Sequence, residues 1–158
     1  MKSITYGEVS FKQVCNILED IITGDKKAEH IICVGTDSQN MGDITKIVTV
    51  ITLIRKTKGG IFFYESRKIK KITNLRQKIF LETQSSIEMA NKVMNFVKER
   101  GIQAALEVHV DIGEKGETKD LIKEIVGWVI GMGFVCRLKP DSFASAVVAD
   151  KITKVGTS

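Results

Sequence analysis

Hydrophobic residues recur at helical spacing near the start of the chain and at strand spacing directly after it. Ser10 and Gln13 have the spacing of a capping box, and apolar residues then recur every three or four positions until Gly24. Residues 30–36 are almost continuously apolar and rich in β-branched side chains, which is typical of a strand covered on both faces. The pattern therefore predicts a helix followed by a buried strand that ends at Asp37.

Two further strands are predicted by alternation and by aromatic content. After a turn at 40–43, residues 44–55 alternate between polar and apolar side chains. A glycine turn at 58–60 then leads into residues 61–69, which begin with aromatic side chains. Because short loops join the three strands, we expect an antiparallel meander.

The second half of the chain alternates between helical and strand patterns. Thr73 is predicted to cap a long helix that runs to Arg100 and stops at Gly101. The remaining predicted elements are a strand, a helix, a short strand and a terminal helix, at residues 104–112, 119–132, 134–138 and 142–154. After the first helix the order is β-β-β-α-β-α-β-α, which predicts an α/β fold with a mixed five-stranded sheet and helices on its faces. We expect one domain over residues 1–158, with 1–25 as an N-terminal helical extension.

Composition narrows the class of protein. The 158 residues are 43% hydrophobic and 27% charged, as in soluble globular domains, and the longest apolar runs are too short to cross a bilayer. The N-terminus lacks the apolar core of a signal peptide, so we expect a cytoplasmic protein without a membrane partner. A net charge of +5 favours a polyanionic partner.

Cysteine spacing predicts free thiols. Cys15, Cys33 and Cys136 are far apart, lie in apolar stretches and form no CxxC pair. We therefore expect buried, unreactive thiols in a reducing compartment, and the sequence shows no tetrahedral Cys/His set for zinc.

Three segments carry a resemblance to a known family. They are VGTDSQ at 34–39, VHVDI at 108–112 and KPDSFAS at 139–145. Together with the order of elements, they resemble the ribonuclease H superfamily, and within it a bacterial family of uncharacterised ribonuclease-H-like proteins, the YkuK type. The resemblance spans roughly residues 30–154 and implies the ribonuclease-H-like fold.

The resemblance also implies a set of acidic metal ligands. In the superfamily, an Asp on the first strand and another at the end of the fourth hold divalent metal ions, and Asp37 and Asp111 match those positions. An acid on the first long helix usually joins them. At ~100° per residue Glu82 lies about 80° from the centre of the apolar stripe, whereas Glu88 and Glu99 point nearly opposite, so Glu82 is predicted.

A fourth acid is implied near the start of the terminal helix. Asp141 is predicted, with Asp150 as the alternative, and the two lie on roughly opposite faces of that helix. His109, two residues before Asp111, is predicted either to move a proton or orient a ligand, or to be a half-buried residue bonded within the fold.

The implied chemistry is hydrolysis of a nucleic-acid phosphodiester. Carboxylate ligands suit Mg²⁺ or Mn²⁺, and a site with two such ions activates water and stabilises the leaving oxygen. A basic cluster is predicted either to contact a nucleic-acid backbone or to be a solvated surface; it comprises Arg67, Lys68, Lys70, Lys71 and Arg76. The sequence thus predicts a metal-dependent nuclease acting on RNA, RNA/DNA hybrid or branched DNA. The alternative is a non-catalytic module of the same fold that binds nucleic acid or protein.

Overall fold

The computed structural model describes residues 1–56, 58–113 and 119–138 of the chain. Within these ranges the strands are β1 (Lys2–Ser3), β2 (Gly7–Glu8), β3 (His30–Met41), β4 (Ile44–Arg55), β5 (Gly59–Lys70), β6 (Ala105–His109) and β7 (Val135–Arg137). The helices are α1 (Phe11–Gly24), α2 (Leu75–Arg100) and α3 (Ile122–Gly131), with a short 3₁₀ helix at Lys119–Leu121. The predicted terminal helix at 142–154 lies outside the described residues, as do Asp141 and Asp150.

The strands form one mixed sheet in the order β2-β1-β5-β4-β3-β6-β7. The meander β3-β4-β5 is antiparallel, and β6 and β7 join it in parallel, as the crossovers through α2 and α3 require. The predicted mixed α/β sheet is therefore confirmed. Strands β1 and β2 add to the predicted five at the outer edge of β5; each is two residues long, too short to give a periodic pattern.

Two helix starts test the capping predictions. The capping box at α1 is confirmed, since the Ser10 hydroxyl accepts from the Gln13 backbone N–H at 3.1 Å and the side-chain Oε1 of Gln13 accepts from the Ser10 backbone N–H at 2.7 Å. The predicted cap of α2 is wrong by one residue. Asn74, not Thr73, is the cap, and its side-chain oxygen accepts from the Gln77 N–H at 3.0 Å.

Several predicted boundaries are corrected by strand pairing. Strand β3 does not end at Asp37 but continues to Met41, because β4 pairs with it along its whole length, from His30↔Arg55 to Met41↔Ile44. Strand β6 stops at His109, since its pairing with β3 ends there. The predicted helix at 119–132 is a 3₁₀ turn followed by α3, and β7 is shorter than the predicted 134–138.

The described helices all pack on one face of the sheet. Ile32 and Val34 of β3 and Leu106 and Val108 of β6 form a single core with the apolar sides of α1, α2 and α3. Because side chains alternate along a strand, Cys33 and Asp37 belong to the opposite face of β3. The predicted site residues therefore divide between the helix-covered face of the sheet and its second face.

Candidate metal centre

The register of β3 and β6 brings the two predicted aspartates to one end of a ladder. The parallel pairing runs from Ile31↔Ala105 to Gly35↔His109. Asp37 lies two positions after Gly35, and Asp111 lies two positions after His109, which are the last partners in this ladder. Both aspartates thus lie at the end of the ladder where β6 stops and β3 continues, and both are partly buried.

Glu82 of α2 reaches the same region from the helix-covered face. Its side chain is buried, and the hydroxyl of Ser38 donates a short hydrogen bond to its carboxylate Oε2. Ser38 is the chain neighbour of Asp37. Alternation puts the two side chains on opposite faces of β3, yet Asp37 is near enough for its negative charge to act on the Glu82 carboxyl. Glu88 and Glu99 are exposed, as the helix-face argument predicted.

Small polar side chains hold α2 close to β3. The hydroxyls of Thr36 and Ser86 lie 2.7 Å apart, and those of Thr36 and Thr49 lie 3.2 Å apart. All three are buried, and Ser86 is one helical turn beyond Glu82. This row of hydroxyls fixes the distance between helix and strand, and with it the position of the Glu82 carboxyl.

The environment of Glu82 disfavours the charged form of its carboxyl. Burial raises the pKa of its carboxyl to about 7; the hydrogen bond from Ser38 opposes this shift, and the negative charge of Asp37 adds to it. Lys78 acts weakly in the lowering direction, and Glu82 forms no ion pair with any residue that the structure describes. A buried carboxyl beside a second carboxylate is stabilised by a hard divalent cation, so these oxygen donors fit Mg²⁺ or Mn²⁺.

His109 is engaged within the sheet. It is buried, and its Nε2 lies 3.1 Å from Oε1 of Glu107. The Nη2 of Arg137 donates to the other oxygen of Glu107 at 3.3 Å. Burial acts to raise the pKa of Glu107, but the hydrogen bonds from Arg137 and His109 outweigh it and hold that pKa below its usual value. The bonded histidine of the structural interpretation is therefore present, and a part in proton transfer stays a prediction.

The predicted basic cluster is divided between two faces. Arg67 lies on the helix-covered face, where its Nη2 donates to the Ser85 hydroxyl at 3.2 Å. Alternation along β5 puts Lys68 and Lys70 on the other face, which is the face of Asp37. All three side chains are exposed, but they do not form one continuous surface, because they lie on two faces of the sheet.

The two remaining members of the cluster have separate positions. Arg76 forms an ion pair with Glu124 of α3 at 2.9 Å and lies over the ring of Phe80. Lys71 is exposed beyond the end of β5, and its backbone N–H donates to the carbonyl of Asp43 at 3.3 Å.

Two residues near the acids were missed from the sequence. Ser38 donates a hydrogen bond to the carboxylate of Glu82. Its position directly after Asp37 is the feature of the sequence that could have indicated a role beside the acids. Lys46 is buried on β4 in the row Gln39-Lys46-Lys68, next to the row of Asp37 on the same face. Burial and the charges of Lys68 and Lys2 lower the pKa of Lys46. The feature of the sequence that could have indicated Lys46 is a lysine among the apolar residues of β4. Its neighbours could not be predicted, because they depend on the register of β4 with β3 and β5.

Comparison with known proteins assigns the chain to an established class of protein. A family model described as "Ribonuclease H-like" matches residues 13–154, and the protein belongs to this ribonuclease H-like family. It is similar to the "Uncharacterized protein YkuK" of Bacillus subtilis (strain 168), with 33% identity over 165 residues that cover 96% of this chain and 95% of the relative. The resemblance to the YkuK type is thereby confirmed.

Two solved structures are also similar. One is a prototype foamy virus protease-reverse transcriptase, with a TM-score of 0.44 and 11% identity over 84% of this chain and 21% of the viral protein. The other is RNase H1 from the halophilic archaeon Halobacterium salinarum NRC-1, with a TM-score of 0.36 and 13% identity over 78% of this chain and 97% of that protein. Among the described residues, no helix has the length and apolar character needed to span a membrane.

Proposed function

We propose that this protein is a divalent-metal-dependent nuclease that hydrolyses phosphodiester bonds of RNA, RNA/DNA hybrid or structured DNA. The observation that carries the proposal is the buried carboxyl of Glu82, which shares its surroundings with Asp37 at the end of the β3–β6 ladder where Asp111 also lies. Membership of the ribonuclease H-like family supports nuclease chemistry in general. The substrate and the metal are part of the proposal.

Each acid has a distinct part in the proposed site. Asp37 and Asp111 supply ligand oxygens from two adjacent strands, and Glu82 supplies a third from the helix, oriented by Ser38. Asp141, with Asp150 as the alternative, is proposed as the fourth ligand. Two bound Mg²⁺ or Mn²⁺ ions would supply an activated water and stabilise the leaving oxygen.

The fixed position of Glu82 favours catalysis over loose ion binding. Its carboxyl is held by Ser38 on one side, and its helix is held by the Thr36–Ser86 contact. Ligands held in this way lose little freedom when an ion binds, so the site is largely preorganised. His109 is proposed to orient the end of β6 next to Asp111, through its contact with Glu107.

The test is cleavage of labelled RNA/DNA hybrid, single-stranded RNA and branched DNA in Mn²⁺. We expect Asp37→Asn to abolish cleavage, because the variant keeps the shape of the side chain and loses its charge. The matched control is Asp43→Asn, a change of the same kind at the exposed turn between β3 and β4, which is expected to cleave as the wild type does. Equal activity of wild type and Asp37→Asn would contradict the proposal.

The second candidate is a non-catalytic binding module of the same fold. It is favoured by the exposed Lys68 and Lys70, which can contact phosphates without any metal. Calorimetric titration with Mn²⁺ separates the two functions. Salt-sensitive RNA binding by a protein that binds no Mn²⁺ would support the module.

A further inference from the structure

The second face of the sheet carries a cluster of three donor side chains. Cys33 and Glu107 are direct partners across the parallel β3–β6 ladder, and His109 is the next residue of β6 on the same face. The thiol sulfur, a carboxylate oxygen and an imidazole nitrogen all lie within 4.8 Å of one another. Gly35 is the partner of His109 in the same ladder.

The cluster is buried, and one of its polar atoms lacks a partner. Cys33 is 1% exposed, Glu107 8% and His109 7%. Nε2 of His109 contacts Glu107, but Nδ1 is buried without a hydrogen-bond partner among the residues that the structure describes. A buried ring nitrogen without a hydrogen-bond partner costs free energy of folding. A metal ion bound to the imidazole would change which of the two ring nitrogens donates a hydrogen bond.

We propose that Cys33, Glu107 and His109 form a binding site for a zinc-like transition-metal ion, distinct from the acidic site of Asp37. Thiolate, imidazole and carboxylate are the ligands that Zn²⁺ takes in proteins, whereas Mg²⁺ prefers oxygen alone. Tetrahedral zinc holds its ligand atoms roughly 3.3–3.6 Å apart. The three side chains, whose ligand atoms lie within 4.8 Å of one another, therefore need to approach each other by about 1.5 Å at most. The fourth coordination position is left for water or another ligand.

Charge is consistent with a divalent ion in this position. When Zn²⁺ binds, the Cys33 thiol releases its proton to solvent, and thiolate and carboxylate together balance the two positive charges. Without an ion, burial raises the pKa of the Cys33 thiol to about 12, with a further contribution from the charge of Glu107. The guanidinium of Arg137 holds the outer oxygen of Glu107, and such a contact orients a ligand carboxylate toward its metal.

The ion would join β3 to β6 close to the proposed nuclease site. His109 is two residues from Asp111, a distance of roughly 7 Å along an extended chain. A metal that links the two strands at Cys33 and His109 stabilises the ladder that carries Asp37 and Asp111. None of the three ligands belongs to the acidic set, and His109 is the one residue that also has a part in the proposed nuclease site.

The test uses Co²⁺ as a spectroscopic probe of the metal-free protein. Titration is expected to give one Co²⁺ per chain with a thiolate-to-cobalt charge-transfer band, which Zn²⁺ then removes. Cys33→Ser is expected to abolish the band, and Glu107→Gln to weaken Co²⁺ binding by at least about tenfold. Absence of the band in the wild type, or its survival in Cys33→Ser, would overturn the proposal.

Two controls separate this site from other thiols and from the acidic site. Cys136→Ser changes a thiol on the adjacent strand β7 that packs toward the opposite, helix-covered face, and the band should persist. Asp37→Asn should also keep the band, even if the variant abolishes Mn²⁺-dependent cleavage. Loss of the band in Cys136→Ser to the same degree as in Cys33→Ser would assign the thiolate elsewhere.

A second measurement covers the case in which Cys33→Ser does not fold. One equivalent of Zn²⁺ is expected to raise the midpoint of thermal unfolding of the metal-free wild type, and the same concentration of Mg²⁺ is not, since a ligand that binds only the folded state stabilises it. An equal response to both ions, or none to Zn²⁺, would contradict a site with a thiolate ligand.

Discussion

At the scale of the residue, the carboxyl of Glu82 has a raised pKa because it is buried near a second acid. Its carboxyl is buried beside Asp37, and its hydrogen bond from Ser38 does not offset the cost of burial. In the metal-free protein the folded state therefore favours the protonated form, because the pKa is raised to about 7 while an unfolded chain has the ordinary value. Stability and the proposed metal binding would thus be linked through the same residue.

This linkage predicts a pH-dependent loss of stability in the metal-free protein. The raised pKa of Glu82 contributes stability that is fully present below the unfolded pKa and is lost as pH rises through about 7. Glu82→Gln removes the charge, so between acidic pH and about pH 8 the wild type should lose about 3 kcal/mol of unfolding free energy relative to the variant. Denaturant unfolding in chelator measures the difference.

The control for this prediction is Glu88→Gln. Glu88 lies on the exposed face of the same helix, so its variant should follow the pH profile of the wild type. The prediction is contradicted if the wild type and Glu82→Gln lose stability in parallel across the range.

At the scale of elements, strand and helix types were predictable but their ends depended on partners. Periodicity is a local property, and it identified β3, β4, β5 and α2 from the sequence alone. The end of β3 is not local, because the pairing with β4 carries it past Asp37 to Met41. The cap of α2 was ambiguous for another reason: Thr73 and Asn74 are adjacent and both residue types cap helices.

The corrected cap makes a prediction about stability. Asn74→Ala should cost about 1 kcal/mol of unfolding free energy, because the Gln77 N–H loses its side-chain acceptor. Thr73→Ala, the adjacent change, should cost little, since Thr73 is exposed and lies before the cap. Chemical denaturation of both variants measures the difference, and an equal cost for the two would restore Thr73 as the cap.

The candidate site was predictable only in part, because some of its contacts depend on strand pairing and not on local sequence. Asp37 and Asp111 stand in recognisable segments, and Glu82 follows from the face of its helix. The contact between Cys33 and Glu107 could not be predicted, because it depends on which residues oppose each other in parallel strands that α2 connects. Register of this kind is set by packing over the whole sheet.

At the scale of the molecule, the residues of the predicted basic cluster do not share one surface. Lys68 and Lys70 lie on the face of Asp37, whereas Arg67 and Arg76 are held on the side of the helices by Ser85 and Glu124. A nucleic acid that approaches the acidic site from the second face would meet the lysines and not the arginines. The proposed interface is therefore narrower than the sequence cluster implied.

This division predicts different salt dependences for two charge-removing variants. In metal-free protein, Lys68→Ala should reduce the salt slope of binding to a hybrid duplex by about 0.9, the value for one lost phosphate contact in a DNA duplex. Arg76→Ala, which removes the same charge, should leave the slope nearly unchanged because Arg76 is paired with Glu124. Binding isotherms at several salt concentrations measure both, and equal slopes would favour a single basic surface.

The two kinds of ladder in the sheet have a consequence for the order of folding. The meander pairs strands that are adjacent in sequence, whereas the β3–β6 ladder must close across β4, β5 and α2. Contacts between distant parts of a chain form at a larger entropic cost, so we expect this ladder to close after the meander. Asp37 and Asp111 come together only at that step, and therefore a partly folded chain would lack the proposed metal centre. An ion bound by both strands stabilises the completed fold alone, and metal would slow unfolding more than it accelerates folding.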